Sequence, residues 1–176
     1  MSAWIKMMPV EGARGFLKEM FDKVMTPSGT VDNVMRVHSL RPQSMNGHYT
    51  LYKSVLHHAY LSLPLWYLEA IAVYTSILNC CDYSLMHHYS NFEKLQGNVE
   101  WCRALRKALE EETPEAVLQG KDLALMRYAG KLTKTPGEMV AEDVLSAKRE
   151  GASDEEILEV NQVCAYFNYS NRTLNG

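Results

Sequence analysis

Residues 61–81 form a long apolar run in which Glu69 is the only charged residue. A carboxylate in such a run is costly to bury unless it is paired or hydrogen-bonded. A membrane-spanning helix needs about 20 mainly apolar residues, and Pro64, Thr75 and Ser76 interrupt this run. The run therefore predicts a buried helix in a globular protein, with one acidic group that needs a partner in the interior.

The overall composition is that of an ordinary globular protein. The 176 residues are 47% hydrophobic and 22% charged, which predicts one domain, residues 1–176, with a sizeable core. A net charge of −3 and the lack of a basic block give no electrostatic case for binding nucleic acid or an anionic membrane. Glu11 and Gly12 interrupt the N-terminal segment before an apolar signal-peptide core can form. The four cysteines include no Cys-x-x-Cys pair, which favours a reducing, cytoplasmic location.

Helical periodicity dominates the chain, and no alternating segment of strand length competes with it. The pattern therefore predicts a compact all-α helical bundle. Proline, glycine and asparagine separate the apolar segments. The predicted helices cover residues 15–25, 31–40, 42–57, 65–79, 82–95, 99–111, 122–132, 140–150 and 154–169, with a short turn at 113–115.

Several helix ends carry specific signals. Pro42 suits the first turn of its helix, and Asn98 suits an N-cap. Gly151 fits the left-handed position that follows a helix. Ser153 and Glu156 have the spacing of a capping box, which fixes the start of the last helix.

Helical geometry brings Glu69 close to a histidine. Glu69 lies ten residues before Asn79, about 15 Å along a helix axis. If the chain reverses at Asn79 and Cys80, His88 lies about 10 Å back along the next helix. Glu69 and His88 are therefore expected to meet at a similar depth on facing helices.

A cysteine and a serine stand at the predicted start of that second helix. Cys81 and Ser84 lie where the helix dipole favours anions, so we expect a lowered pKa for the Cys81 thiol. Ser84 and His88 are four residues apart and share a helix face. Burial favours the neutral form of a carboxyl group, which suits proton transfer. The candidate catalytic residues are Glu69, Cys81, Ser84 and His88.

The spacing Glu, eleven residues, Cys, two residues, Cys, three residues, His resembles the core motif of alkylhydroperoxidase D-like proteins, in the carboxymuconolactone decarboxylase superfamily. Glu69, Cys81 and His88 match three of the four motif positions. Ser84 stands where the family has its second cysteine. Cys80 is an additional thiol outside the motif.

Other segments are similar to the "peroxidase-related" subgroup of this family. They are the Leu63-Pro64 pair, the doubled His87-His88, and the C-terminal stretches DLALMRYAGKLTKTP and GASDEEILEVNQVCAYFNYSNR. The resemblance covers about residues 33–172. It implies an alkylhydroperoxidase D-like helical fold and a homo-oligomer, either a dimer or a hexamer.

The resemblance also implies an oxidoreductase that reduces peroxides through a cysteine thiolate. In this family the second motif cysteine attacks the peroxide and the first resolves it, while the Glu69 and His88 positions move the proton. The expected partners are a small-molecule peroxide substrate and a thiol reductant, with no cofactor and no metal. Ser84 cannot pass through a sulfenic acid, so Cys81 alone would need an external thiol.

Two alternatives stay open at this point. Glu69 and His88 could perform acid/base chemistry on a small organic acid without sulfur, or the chain could be a non-catalytic assembly protein with the same fold. Tyr83 and His87 are candidate substrate-binding residues, although packing explains Tyr83 equally well and His88 explains the motif match better than His87 does. Cys102 and Cys164 are expected to be buried structural thiols.

Overall fold

The computed structural model describes residues 3–176 and divides the chain into two compact units, Met1–Ser54 (unit 1) and Val55–Gly176 (unit 2). Every regular element in residues 3–176 is helical, which confirms the all-α prediction. No helix within these residues combines the length and apolar character needed to cross a bilayer. The prediction of a single domain stays a prediction.

Unit 1 contains α1 Gly15–Val24, α2 Asn33–Arg36 and most of α3 Pro42–Leu56. Its core is built from methionine, phenylalanine and valine side chains, which are Met20, Phe21, Val24, Val31, Met35 and Met45. The sequence predicts a helix over 31–40, but α2 is only one turn long. Beyond Arg36 the backbone forms tight turns, in which His38 N–H bonds Met35 O and Ser39 N–H bonds Arg36 O.

Unit 2 is assembled around α4 Leu65–Leu78. The other helices of the unit are α5 Asp82–Gln96, α6 Val99–Glu110, α7 Gly120–Lys134, α8 Ala141–Arg149 and α9 Asp154–Asn175, with single 3₁₀ turns at Pro114–Ala116 and Pro136–Glu138. Helices α5, α6, α7 and α9 pack against α4. Every residue of α4 from Tyr67 to Ser76 is buried, as expected for a helix that is apolar on all sides.

The close approach of α7 to α4 depends on one glycine. A Cβ atom at Gly130 would lie 2.8 Å from Cε1 of Tyr74, well inside van der Waals contact. Gly130 therefore lets the Tyr74 ring lie directly against the α7 backbone.

The predicted helix caps of unit 2 are confirmed. Asn98 accepts a hydrogen bond from Trp101 N–H, and Ser153 with Glu156 forms the capping box. Gly151 adopts a φ of 90° in the left-handed region. Pro64 lies at the N-cap of α4.

Helix α9 extends to Asn175, beyond the predicted end at Tyr169. Its last turns carry little apolar periodicity, but they make tertiary hydrogen bonds that hold them in the helix. Asn171 is fully buried and bonds Ser76, while Asn175 donates to Asn79 O.

Candidate active site

The chain reverses between α4 and α5 through a Schellman turn. Cys81 N–H bonds Ser76 O and Cys80 N–H bonds Ile77 O, which satisfies the last carbonyls of α4. Cys80 occupies the position that glycine usually takes and adopts a φ of 52° in the left-handed region. Its thiol is exposed and free. The two helices therefore run antiparallel, as the spacing predicts.

The predicted meeting of Glu69 and His88 is confirmed. His88 Nδ1 lies 2.6 Å from Glu69 Oε2, and the two side chains are 13% and 1% exposed. The short distance places the Nδ1 proton between the imidazole and the carboxylate, so the Nε2 atom is the nitrogen left for chemistry. Phe167 packs edge-on against the His88 ring, with the ring centroids 4.5 Å apart.

The second oxygen of Glu69 has its own partner, which sequence reasoning missed. Asn91 Nδ2 donates to Glu69 Oε1 over 3.3 Å. A signal for it exists in the sequence, because Asn91 follows His88 by three residues and so shares its helix face. Polar residues at this spacing are common on helices, so the signal becomes specific only once Glu69 is known to face that side.

Cys81 lies at the N-cap of α5, and its side chain makes no capping hydrogen bond. The predicted lowering of its pKa is wrong in direction. Burial of the side chain, which is only 2% exposed, raises the pKa of the Cys81 thiol above its ordinary value. The Ser84 amide lowers that pKa by a smaller amount, and nearby Asp82 raises it again.

Ser84 is buried in a second polar network, beside the reversal. The Ser84 and Ser76 hydroxyl oxygens lie 2.9 Å apart, and Ser76 also donates to Ala72 O. Asn171 from α9 donates to the Ser76 hydroxyl over 3.3 Å. The structure therefore places the Ser84 hydroxyl beside Ser76 of α4, and Ser76 in turn links it to Asn171 of α9.

The two candidate substrate-binding residues lie together on α5. The Tyr83 and His87 rings stack with their centroids 5.2 Å apart, and His87 is exposed. Their role in binding a substrate stays a prediction. Cys102 and Cys164 are buried free thiols, as the sequence predicts.

No group of three or more histidine, cysteine, aspartate or glutamate side chains within residues 3–176 is arranged to hold a metal ion. His57 and His58 are exposed and lie just beyond the end of α3. The polar groups gathered at the α4–α5 pair are thus a carboxylate, an imidazole, an amide, a thiol and two hydroxyls.

Comparisons with solved structures identify the fold. An uncharacterized peroxidase-related protein from Silicibacter sp. matches 89% of this chain and 78% of its own, with 24% identity and a TM-score of 0.69. A protein from Ralstonia eutropha, described as an alkylhydroperoxidase AhpD core and an uncharacterized peroxidase-related protein, matches 90% and 79% with 22% identity and a TM-score of 0.73. Neither the protein-family models nor the curated proteins give a match. The chain therefore has the alkylhydroperoxidase D-like fold that its motif spacing predicts.

Proposed function

We propose that this protein is a thiol-dependent oxidoreductase that reduces peroxides at Cys81. The observation that carries the proposal is the buried 2.6 Å contact between His88 Nδ1 and Glu69 Oε2, on the helix pair whose connection bears the thiol. A carboxylate that is hydrogen-bonded to one nitrogen of an imidazole fixes the tautomer of the ring, so the other nitrogen can accept a proton. The names of the two similar structures, both peroxidase-related, support the same reaction class.

The first half-reaction oxidises the sulfur. His88 Nε2 takes the Cys81 proton through intervening water, and the thiolate attacks the terminal oxygen of an alkyl hydroperoxide. The O–O bond breaks, a new S–O bond forms, and the departing alkoxide receives the proton held by His88. The products are an alcohol and a sulfenic acid on Cys81, and the peroxide takes the electron pair that the sulfur loses.

The second half-reaction needs thiols from outside the chain. One external thiol displaces water from the sulfenic acid to give a mixed disulfide, and a second thiol releases Cys81 while the two reductants join as a disulfide. Ser84 cannot replace the first of these thiols, because a hydroxyl does not form a disulfide. The proposed partners are thus a small peroxide and a low-molecular-weight or protein thiol. Self-association into a dimer or hexamer and a cytoplasmic location belong to the same proposal.

The direct test treats the full chain with an alkyl hydroperoxide and a sulfenic-acid probe, followed by peptide mass spectrometry. We expect the probe on Cys81, in the wild type and in Cys80→Ser alike, and no probe at that position in Cys81→Ser. Labelling of Cys80 alone, or of no cysteine, would contradict the proposal.

One observation favours a second candidate function, acid/base catalysis without sulfur. The Cys81 thiol is 2% exposed and its pKa is raised, so it is a reluctant nucleophile at neutral pH. In that case Glu69 and His88 would act on a small organic acid. Cys81→Ser would then keep activity on the substrate while His88→Ala would lose it, and peroxide reduction predicts that both variants lose activity.

The pH dependence of Cys81 alkylation sharpens this choice. Because burial raises the pKa of Cys81, we expect its alkylation by iodoacetamide to rise at higher pH than that of the same peptide cut from the unfolded chain. A folded-state curve that coincides with the peptide curve would show that the thiol is as available as a free one, and would remove the argument for the second candidate.

A further inference from the structure

Two side chains of α5 hold the Glu69 carboxylate, one on each oxygen. His88 Nδ1 lies 2.6 Å from Oε2, and Asn91 Nδ2 lies 3.3 Å from Oε1. The amide must present its NH₂ group here, because a carboxylate offers only acceptors. Both oxygens of a carboxylate that is 1% exposed are therefore matched with donors from the same helix.

The Asn91 contact restricts the motion of the carboxylate. The terminal torsion of a glutamate side chain is soft, so a carboxylate held at one oxygen can still rotate. A second donor on the opposite oxygen removes this freedom and satisfies an acceptor that would otherwise be buried without a partner. Oε2 then stays in line with His88 Nδ1.

The fixed carboxylate in turn fixes the imidazole. As long as Oε2 accepts the hydrogen bond from Nδ1–H, neutral His88 keeps its lone pair on Nε2, the atom that the proposed proton transfer requires. If Oε1 loses its donor, the carboxylate is free to rotate and the Nδ1–H···O bond opens more often.

We infer that Asn91 is a positioning residue that orients His88 through Glu69. Its catalytic meaning rests on the proposed function, whereas its effect on the histidine is a property of the resting protein. Asn91 needs no contact with the substrate for this role.

The test measures how fast the His88 Nδ1 proton exchanges with solvent, by NMR of the ¹⁵N-histidine-labelled full chain. Asn91→Leu keeps the side-chain shape but removes the donor. We expect exchange about tenfold faster than in the wild type at the same pH, the size expected for losing a hydrogen bond to a charged group. Ser90→Ala changes the exposed neighbour on α5 and should leave the exchange rate unchanged.

A second variant separates the donor from the shape. Asn91→Asp places a second carboxyl group beside Glu69, which raises the pKa of the new group because like charges repel. We expect fast exchange at about pH 8. As the pH falls through the raised pKa of the new carboxyl group, its protonated form becomes a donor again and should bring the rate back towards that of the wild type at the same pH. Asn91→Leu has no such recovery.

Two results would overturn the inference. One is an exchange rate in Asn91→Leu within about twofold of the wild type, which is less than the loss of one net hydrogen bond produces. The other is an exchange rate in Asn91→Asp that does not return towards the wild-type rate on acidification. The change of side-chain shape alone would then explain the faster exchange in Asn91→Leu.

An activity measurement on the same proteins keeps this inference distinct from the proposed function. We expect Cys81 oxidation by an alkyl hydroperoxide to slow about tenfold in Asn91→Leu, in parallel with the loss of the same hydrogen bond. If Cys81 of the wild type is not oxidised at all, the proposed function fails while the exchange experiment still decides the role of Asn91. If oxidation proceeds and Nδ1 exchange ignores Asn91, only the present inference fails.

Discussion

Each compact unit of the protein holds a histidine of low exposure in a hydrogen bond, and the two partners differ in kind. In unit 1, His48 Nδ1 lies 3.0 Å from Nε2 of His38. In unit 2, His88 Nδ1 lies 2.6 Å from the carboxylate of Glu69. The contrast lies between a neutral partner and a partner that carries charge.

The hydrogen bonds of unit 1 fix which ring nitrogens of His38 and His48 carry a proton. The Ser44 hydroxyl donates to Arg41 O, so its oxygen accepts from His38 Nδ1–H, and His38 Nε2 in turn accepts from His48. Burial, and then the neighbouring His38, lower the pKa of His48 to about 4. Burial also lowers the pKa of His38.

The unit 2 arrangement has a different partner. The His88 ring contacts an acidic side chain, whereas the His38 and His48 rings contact each other. The same residue type therefore contacts a second imidazole in one unit and an acidic side chain in the other.

The largest effect is expected from breaking the charged pair on one side. His88→Phe leaves the Glu69 carboxylate buried without its main partner, which should lower the free energy of unfolding of unit 2 by about 3 to 5 kcal/mol. The double variant Glu69→Leu with His88→Phe removes both polar groups and should recover most of that loss. Hydrogen exchange of buried α4 amides measures both, with His87→Phe as the control for an exposed histidine on α5. A double variant as unstable as the single one would contradict the presence of a charged buried pair.

Acid should act on unit 1 through the neutral pair. Unfolded His48 takes up its proton near pH 6.5 and folded His48 near pH 4, so stability is complete above about 6.5 and is lost as the pH falls towards 4. The loss of free energy of unfolding is at most about 3 to 4 kcal/mol, from about 1.4 kcal/mol per pKa unit. Hydrogen exchange of the Phe21 and Met45 backbone amides measures this loss of stability in unit 1.

Two variants check the origin of this acid sensitivity. His48→Gln should flatten the pH dependence of unit 1, because its side chain does not titrate. His58→Gln, which replaces an exposed histidine, should keep it. If the amides of the unit 1 core are equally protected from hydrogen exchange at about pH 6.5 and at about pH 4, the contrast between the two histidine contacts is wrong.

A smaller effect should follow from removing the hydroxyl that fixes the His38 tautomer. Ser44→Ala deletes an acceptor for His38 Nδ1–H and should cost unit 1 about 1 kcal/mol, the net value of one neutral hydrogen bond. Ser54→Ala is the matched control, because Ser54 also lies on α3 and donates to a backbone carbonyl, Thr50 O. If both variants change the unit 1 stability equally, the Ser44 contact with His38 contributes nothing of its own.

Much of this arrangement is visible in the sequence because its signals are local. Proline, glycine and capping residues fix most helix ends to within a few residues, and counting 1.5 Å per residue along two helices brings Glu69 to His88. The spacing of Glu69, Cys81 and His88 also predicts the fold that the similar structures share. Apolar periodicity and caps act over a few turns, which is the range that a sequence pattern records.

The sequence-based predictions that fail depend on tertiary contacts, which form only in the folded chain. The helix start predicts a lowered pKa for Cys81, but burial by neighbouring elements outweighs the Ser84 amide. The last turns of α9 lack apolar periodicity, and bonds from Asn171 and Asn175 to the end of α4 keep them helical. Asn91 has no distinguishing pattern until the facing carboxylate is known.

The central claim is that the Glu69–His88 pair serves the sulfur at Cys81, and one rate measurement tests it most directly. Glu69→Gln keeps the side-chain shape and removes the charge that supports His88. The rate of Cys81 oxidation by excess alkyl hydroperoxide is measured by mass spectrometry. We expect this rate to fall by about a hundredfold, the lower end of what proton-transfer groups contribute. Glu100→Gln, an exposed acid on α6, should keep the wild-type rate. Oxidation of Cys81 at the wild-type rate in Glu69→Gln would contradict the claim, because the thiol would then react without the buried pair.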